Sequence, residues 1–449
     1  MLSFACIYKA LLSFFLYKNR LYGTLNMVII MAVPCKERLN ITIQQKRFLL
    51  KKLGIKNITD IDVALLKQLK ENLKTINDTR QQSKITYKIW DIIICVIVAS
   101  FADIYDWEDI EVFVYSHYKW FKSFLQMTGG VPSYQTYENV FAIIDYKELE
   151  KILVDFYKSL VTPISDKECL NIDGRTDNGS SRKETDYNEK VKPLNVLNMY
   201  SNNYGICLAS EQIDEKSNEI PTIPEILKRT NIKDCIITWD ALNTQTKNIS
   251  AVIDAKGDYV VPIKANQGNF YQDLKDYFND KELEYIIAGK SNSAYYTHIE
   301  KSHSAIIKYE YFQTTEVEWY FDKDSWKSLH SIGMVRKTIT KNEEETIEKR
   351  YYISSLFINI KEFSKAIRNH WSVENKLHWH LDFTFREDKN TTKNKNALLN
   401  LQIINKFVLG VLNKVKEFYS RLSLKKVRKL LSFDFEKNFI NLMCYLLLK

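Results

Sequence analysis

The stretch Ile367–Asp388, IRNHWSVENKLHWHLDFTFRED, constrains the fold more than any other part of the 449-residue chain. It reads as one helix carrying two Trp, three His and a central carboxylate. At 3.6 residues per turn, His370, Glu374 and His378 share one face at spacing i, i+4, i+8. A carboxylate flanked by imidazoles is unusual on an ordinary core helix. Far upstream, two segments each place a single Asp in or just after an apolar strand pattern: Leu170–Gly174 (LNIDG) and Ile236–Ala241 (IITWDA). The expectation is that Asp173, Asp240 and Glu374 meet in space and hold divalent metal. Each residue also has a plainer reading. An Asp before Gly is commonly a turn residue, and His370 and His378 could simply satisfy polarity in a core. The combination and its order carry the expectation, not any one residue.

The order of elements supports that meeting. Strand-like segments at 168–173, 192–200 and 204–210 precede a helix, a strand at 235–239 ending on Asp240, a helix at 244–255 and a strand at 259–263. Strand, strand, strand, helix, strand, helix, strand is the ribonuclease-H-like pattern, in which the first and fourth strands are neighbours. The predicted class is therefore α/β: a ribonuclease-H-like catalytic core with a β-rich insertion and an N-terminal helical domain. The expected segments are an N-terminal extension (1–35), the helical domain (36–165), the first part of the core (166–285), the insertion (286–358), the final catalytic helix region (359–415) and a helical tail (416–449). Within the insertion, residues 295–299, 305–314, 317–321, 330–340 and 349–354 read as strands.

Composition sets wide bounds. Hydrophobic residues are 45 % and charged residues 27 % of the chain, ordinary values for a globular protein. The net charge of +9 fits a polyanionic partner without demanding one. Seven Cys are scattered with no CxxC pair, which points to reduced thiols in a cytoplasmic protein rather than a thiolate zinc site. Neither apolar run before Cys35 reaches the ~18–20 residues of a membrane span. That region reads as an extension upstream of the true start, with Met27 and Met31 as candidate beginnings. No membrane partner is expected.

Three converging carboxylates repel one another unless cations neutralise them. Mg²⁺, or Mn²⁺ in its place, suits such a set, and a pair of ions ~3.5–4 Å apart can activate one oxygen and stabilise another in an in-line displacement. Arg175 and Lys264 are expected near phosphates. A rival reading makes His370, Glu374 and His378 a hydrolytic zinc site, although the HExxH order is absent.

The residues also resemble a known family. The stretches DWEDIEVF, GGVPSYQT, NIDGRT…GS, DEKSNEIPTIPEIL, TWDALNTQ, GDYVVPIKANQ, RYYISSL and RNHWSVENKLHWHLDFTFRED are similar to those of bacterial insertion-sequence transposases of the DDE class, the H-repeat-associated proteins. The likeness runs from about Thr79 to Leu412. It implies Mg²⁺-dependent cleavage and strand transfer of double-stranded DNA, at terminal inverted repeats and in target DNA, by an oligomer of this chain. The implied acids are Asp173, Asp240 and Glu374, with Asn375, Lys264 and Arg386 at further matching positions. Arg175 stands where the family usually has Lys. Asp177, Asn178 and Asn195 depart from its pattern, as does HSAIIKYE from His303. An inactive relative that only binds DNA is the alternative within the same family.

Overall fold

The structure, a computed structural model, describes residues 42–163, 167–181, 192–214, 218–279, 292–302, 305–416 and 418–448. The expected N-terminal extension, Ser217 and His303 lie outside them. Residues 53–449 form one unit.

Among the described residues nine strands make a single mixed sheet in the order β3-β2-β1-β4-β5-β9-β8-β7-β6. They are β1 (Cys169–Asp177), β2 (Leu194–Ser201), β3 (Ile206–Gln212), β4 (Ile236–Thr238), β5 (Asp258–Ile263), β6 (Ser293–Ser302), β7 (Ala305–Thr314), β8 (Ser331–Lys341) and β9 (Glu344–Ser354). Strands β1 to β3 are an antiparallel meander, β1, β4 and β5 run parallel, and β9 returns antiparallel on β5. The parallel strands read as unbroken apolar runs, IIT and DYVVPI, as expected of strands covered on both faces. The β-rich residues do not stand apart from this sheet: β6 to β9 extend it by a second antiparallel meander.

One reading of local structure needs correction. Val317–Phe321 forms no strand. Its aromatics stack on a neighbouring helix instead, Tyr320 on Phe270 at 3.8 Å and Trp319 on Tyr277 at 5.2 Å, while Phe321 projects outward. The helix before β4 begins at Glu219. Asn218 caps it by accepting from the Ile220 amide, and Pro221 falls in the first turn, where its missing N–H costs nothing.

Helix Ile360–Val373 packs across the sheet, burying Phe363, Ala366 and Ile367 against Cys169, Ile236, Val260, Val335 and Tyr352. Gly333 makes this approach possible, since a Cβ there would stand 2.4 Å from the Phe363 ring. A second layer is helical. Helix Lys395–Val415, buried along most of its length, packs on Ile89–Phe101, on Tyr146–Leu160 and on β3. The C-terminal helices return to the N-terminal ones: Phe435 and Phe439 meet Phe101, Phe113 and Trp120. Ile89–Phe101 is apolar all round because it is surrounded. Among the described residues no helix is long and apolar enough to cross a membrane, and Cys95, Cys169, Cys207, Cys235 and Cys444 are free and buried.

Candidate active site

Strand register brings the two aspartates level. β1 and β4 pair in parallel through Asn171 and Thr238, whose side chains are hydrogen-bonded at 2.5 Å. Asp173 and Asp240 each lie two residues further along their own chain, Asp173 still within β1 and Asp240 just past the end of β4, where the two strands run roughly 4.8 Å apart. Asp240 follows Trp239, a fully buried anchor that donates to Thr244 Oγ1 at 3.2 Å. Beyond it the backbone turns sharply, with the Asn243 amide donating to the Asp240 carbonyl. Gly174 lets the Glu219 carboxylate press against β1 beside Asp173: a Cβ would fall 2.0 Å from Glu219 Oε1.

Glu374 comes from the helix that crosses the sheet. Its regular α geometry ends at Val373, and it widens to π turns over Glu374–His378 and His380–Thr384. Such widenings concentrate at functional sites. The three histidines have different partners. His370 Nδ1 lies 3.2 Å from Thr238 Oγ1 and its Nε2 lies 3.7 Å from Asp240 Oδ1. His378 Nδ1 lies 3.4 Å from Asp173 Oδ2 and 3.3 Å from Glu374 Oε2. His380 contacts Thr384 Oγ1 at 3.0 Å, and burial pushes its imidazole down to about 4.

One set of possible metal ligands therefore gathers among the described residues: Asp173, Glu374 and His378, with an atom of each within 4.8 Å of the others. Asp240 is not in that set, although it is near enough for its charge to act on Asp173. The expected zinc trio is not gathered either, because His370 is turned to Thr238 and Asp240, away from Glu374 and His378. Burial raises the Asp173 carboxyl to about 6, against the pull of the His378 and His370 rings. The nearby His370 ring holds Asp240 below the usual carboxylate range, and the hydrogen bond with His378 does the same for Glu374. Two carboxylates and an imidazole suit a divalent ion in their chemistry.

The cations divide. Arg175, with its side chain 7 % exposed, is paired with Asp382 and with Glu387, so its charge is used inside the protein. Glu387 in turn accepts from Asn405, whose Oδ1 accepts from Ser100, which ties β1 to the helical layer. Arg386, in left-handed backbone, donates to the Tyr105 hydroxyl at 2.6 Å. Lys264 lines a groove of about 330 Å³ beside Asp240, together with Arg350, Tyr271 and Trp371. Both Lys264 and Arg350 act on the Asp240 charge. Sequence reasoning missed Arg350, although it opens the RYYISSL stretch. It also treated the two histidines as rivals to the acids rather than as their partners.

Fold and site together define an α/β protein whose mixed sheet carries an acid-and-imidazole cluster beside its parallel strands. The chain belongs to the DDE transposase family. Residues 164–409 match the family described as Transposase DDE domain, and residues 70–157 match the one described as DDE_Tnp_1-associated. The protein named "Putative transposase YncI" of Escherichia coli O157:H7 is 30 % identical over 365 residues, 80 % of this chain and 91 % of that protein. The "H repeat-associated putative transposase YhhI" of Escherichia coli K12 is 31 % identical over 369 residues, 81 % of this chain and 95 % of that protein. A solved piggyBac transposase synaptic complex with hairpin DNA aligns over 90 % of this chain at 12 % identity with a TM-score of 0.35, too low to compare the folds.

Proposed function

We propose that this chain cleaves double-stranded DNA at the terminal inverted repeats of an insertion sequence and joins the ends to target DNA, acting as a homo-oligomer. Its sheet order β3-β2-β1-β4-β5 supports a ribonuclease-H-like core, and Asp173, Asp240 and Glu374 are its catalytic acids. The observation that carries the reading is the parallel pairing of β1 with β4, which leaves Asp173 on β1 close to Asp240, two residues past the end of β4, with Glu374 delivered to Asp173 by the crossing helix.

Held by these acids, Mg²⁺ or Mn²⁺ would lower the pKa of an attacking oxygen and offset the charge on the oxygen that leaves. Cleavage adds water across a phosphodiester and yields a 3′-hydroxyl and a 5′-phosphate. In strand transfer the 3′-hydroxyl oxygen bonds to a target phosphorus as a target 3′-oxygen leaves. One ester replaces another, and the proton lost from the attacking hydroxyl is matched by one gained on the leaving oxygen. His370 orients Asp240 for this work. Lys264 and Arg350 give the adjoining groove the charge to hold a phosphate.

The test is cleavage of labelled element-end duplexes with Mg²⁺ or Mn²⁺ by Asp173→Asn, Asp240→Asn and Glu374→Gln, each checked for an unchanged melting curve. Each substitution should abolish cutting. Wild-type cutting by any one removes that residue from the set, and a wild-type protein that binds these ends without cutting leaves the inactive relative as the reading.

A further inference from the structure

We infer that His378 is itself a metal ligand through Nδ1, completing a three-residue site with Asp173 and Glu374 that favours Mn²⁺ over Mg²⁺. The inference rests on the metal-dependent reading above and adds to it a ligand and a selectivity.

Three observations converge on the ring. Its side chain is 6 % exposed, although it sits beside Glu374, which is 69 % exposed. Its Nδ1 faces two carboxylate oxygens at once, at 3.4 and 3.3 Å. Its Nε2 is buried and has no hydrogen-bond partner among the described residues. Buried histidines usually use both nitrogens, and with Nδ1 on an ion the ring proton sits on Nε2, so it is Nδ1 that points to an ion. This one directs its whole polar capacity at the two acids. The single proton that Nδ1 can carry does not serve two acceptors well.

The spacing fits a shared ion better than a shared proton. With bonds of roughly 2.1 Å, adjacent ligands on one ion stand about 3 Å apart. The two separations from Nδ1, 3.3 and 3.4 Å, need only a few tenths of an ångström of closure, and all three ligand atoms lie within 4.8 Å of one another. The π turn supplies the geometry, since it carries Glu374 and His378 at its two ends.

Selectivity follows from donor chemistry. Mg²⁺ prefers all-oxygen surroundings and gives up water reluctantly. Imidazole is a ligand of transition metals. Replacing one oxygen donor by Nδ1 therefore favours Mn²⁺ relative to Mg²⁺. Asp240, held by His370 outside this set, stays available to a second position.

Pulsed electron paramagnetic resonance of Mn²⁺ bound to the full chain tests this, read alongside Mn²⁺ and Mg²⁺ titrations. The wild-type protein should show ¹⁴N coupling from a directly bound imidazole. The coupling should vanish in His378→Gln and persist in His370→Asn. The His378→Gln change should weaken Mn²⁺ binding ~10-fold while moving Mg²⁺ binding much less. If wild-type protein binds Mn²⁺ in a manner weakened by Asp173→Asn yet shows no ¹⁴N coupling, the inference fails and the acid site stands. Loss of the coupling in His370→Asn instead of His378→Gln also overturns it. If Asp173→Asn leaves Mn²⁺ binding unchanged, both the inference and the metal site it rests on fall.

Discussion

Arg428 offers the sharpest test of how the helix bearing Glu374 is held. Its side chain is 0 % exposed. Nε and Nη2 donate to the Ser100 carbonyl at 3.1 and 2.7 Å, and Nη1 donates to the Thr384 carbonyl at 2.5 Å. Ser100 lies in the last turn of Ile89–Phe101, and the Ile104 amide that would reach it donates to Ala99 instead. Thr384 ends the second π turn. One guanidinium thus caps two helical ends, pairs with Asp103 at 3.0 Å and lies 4.0 Å above the Phe385 ring. Burial lowers its pKa only to about 10, so it stays charged at neutral pH. In Arg428→Met, two buried carbonyls lose a donor at about 1–3 kcal/mol each, and Asp103 loses its counter-ion. The two losses overlap, and breaking a buried pair costs about 3–5 kcal/mol as a whole, which is the expected loss. Arg428→Lys keeps the charge but not the fork, so it should fall between Met and wild type. Urea unfolding at pH 7.5, followed by tryptophan fluorescence and circular dichroism, measures both. A loss below about 1 kcal/mol in Arg428→Met with an unchanged m-value would refute the double-cap account.

Two other sites give independent expectations. Asp62, buried in the first turn of helix Ile61–Leu73, is raised by desolvation to about 6. A carboxyl whose folded pKa exceeds its unfolded value binds more protons when folded, so this contribution to stability is full below about pH 4 and is lost as pH rises through 6. Asp62→Asn should therefore raise stability at pH 7.5 by up to about 3 kcal/mol and change little at pH 4. Parallel denaturation curves at the two pH values check it, and equal effects at both would defeat the assignment. Gly179 approaches Asp388 so closely that a Cβ would stand 2.2 Å from its carbonyl oxygen and 2.6 Å from its carbonyl carbon. Backbone cannot swing aside as a side chain can, so Gly179→Ala should cost about 2–3 kcal/mol. An unaltered melting temperature would show that this contact yields.

What the sequence disclosed and what it concealed divide along a physical line. Adjacency of Asp173 and Asp240 was legible because it follows from element order: parallel strands need crossovers, and unbroken apolar runs such as DYVVPI belong to covered strands. Glu374 was legible as an acid among aromatics and imidazoles. The direction of His370 was not, because helical spacing fixes a face but not the partners on it, and Thr238 and Asp240 reach that ring from the end of a strand more than 100 residues away. The role of Arg175 was hidden for a different reason. A cation two residues from a candidate acid looks like a phosphate ligand until Asp382 and Glu387 come back from more than 200 residues away to claim it. The same argument limits Arg386, whose left-handed backbone and bond to Tyr105 fix it as the turn that returns the chain to helix Lys395–Val415. Lys264 and Arg350 line the groove beside Asp240, one from the end of β5 and one from β9. The antiparallel pairing of β9 with β5 is what brings them together. The second meander is therefore part of the candidate site's wall, and its join to the central sheet supplies a basic lining beside Asp240.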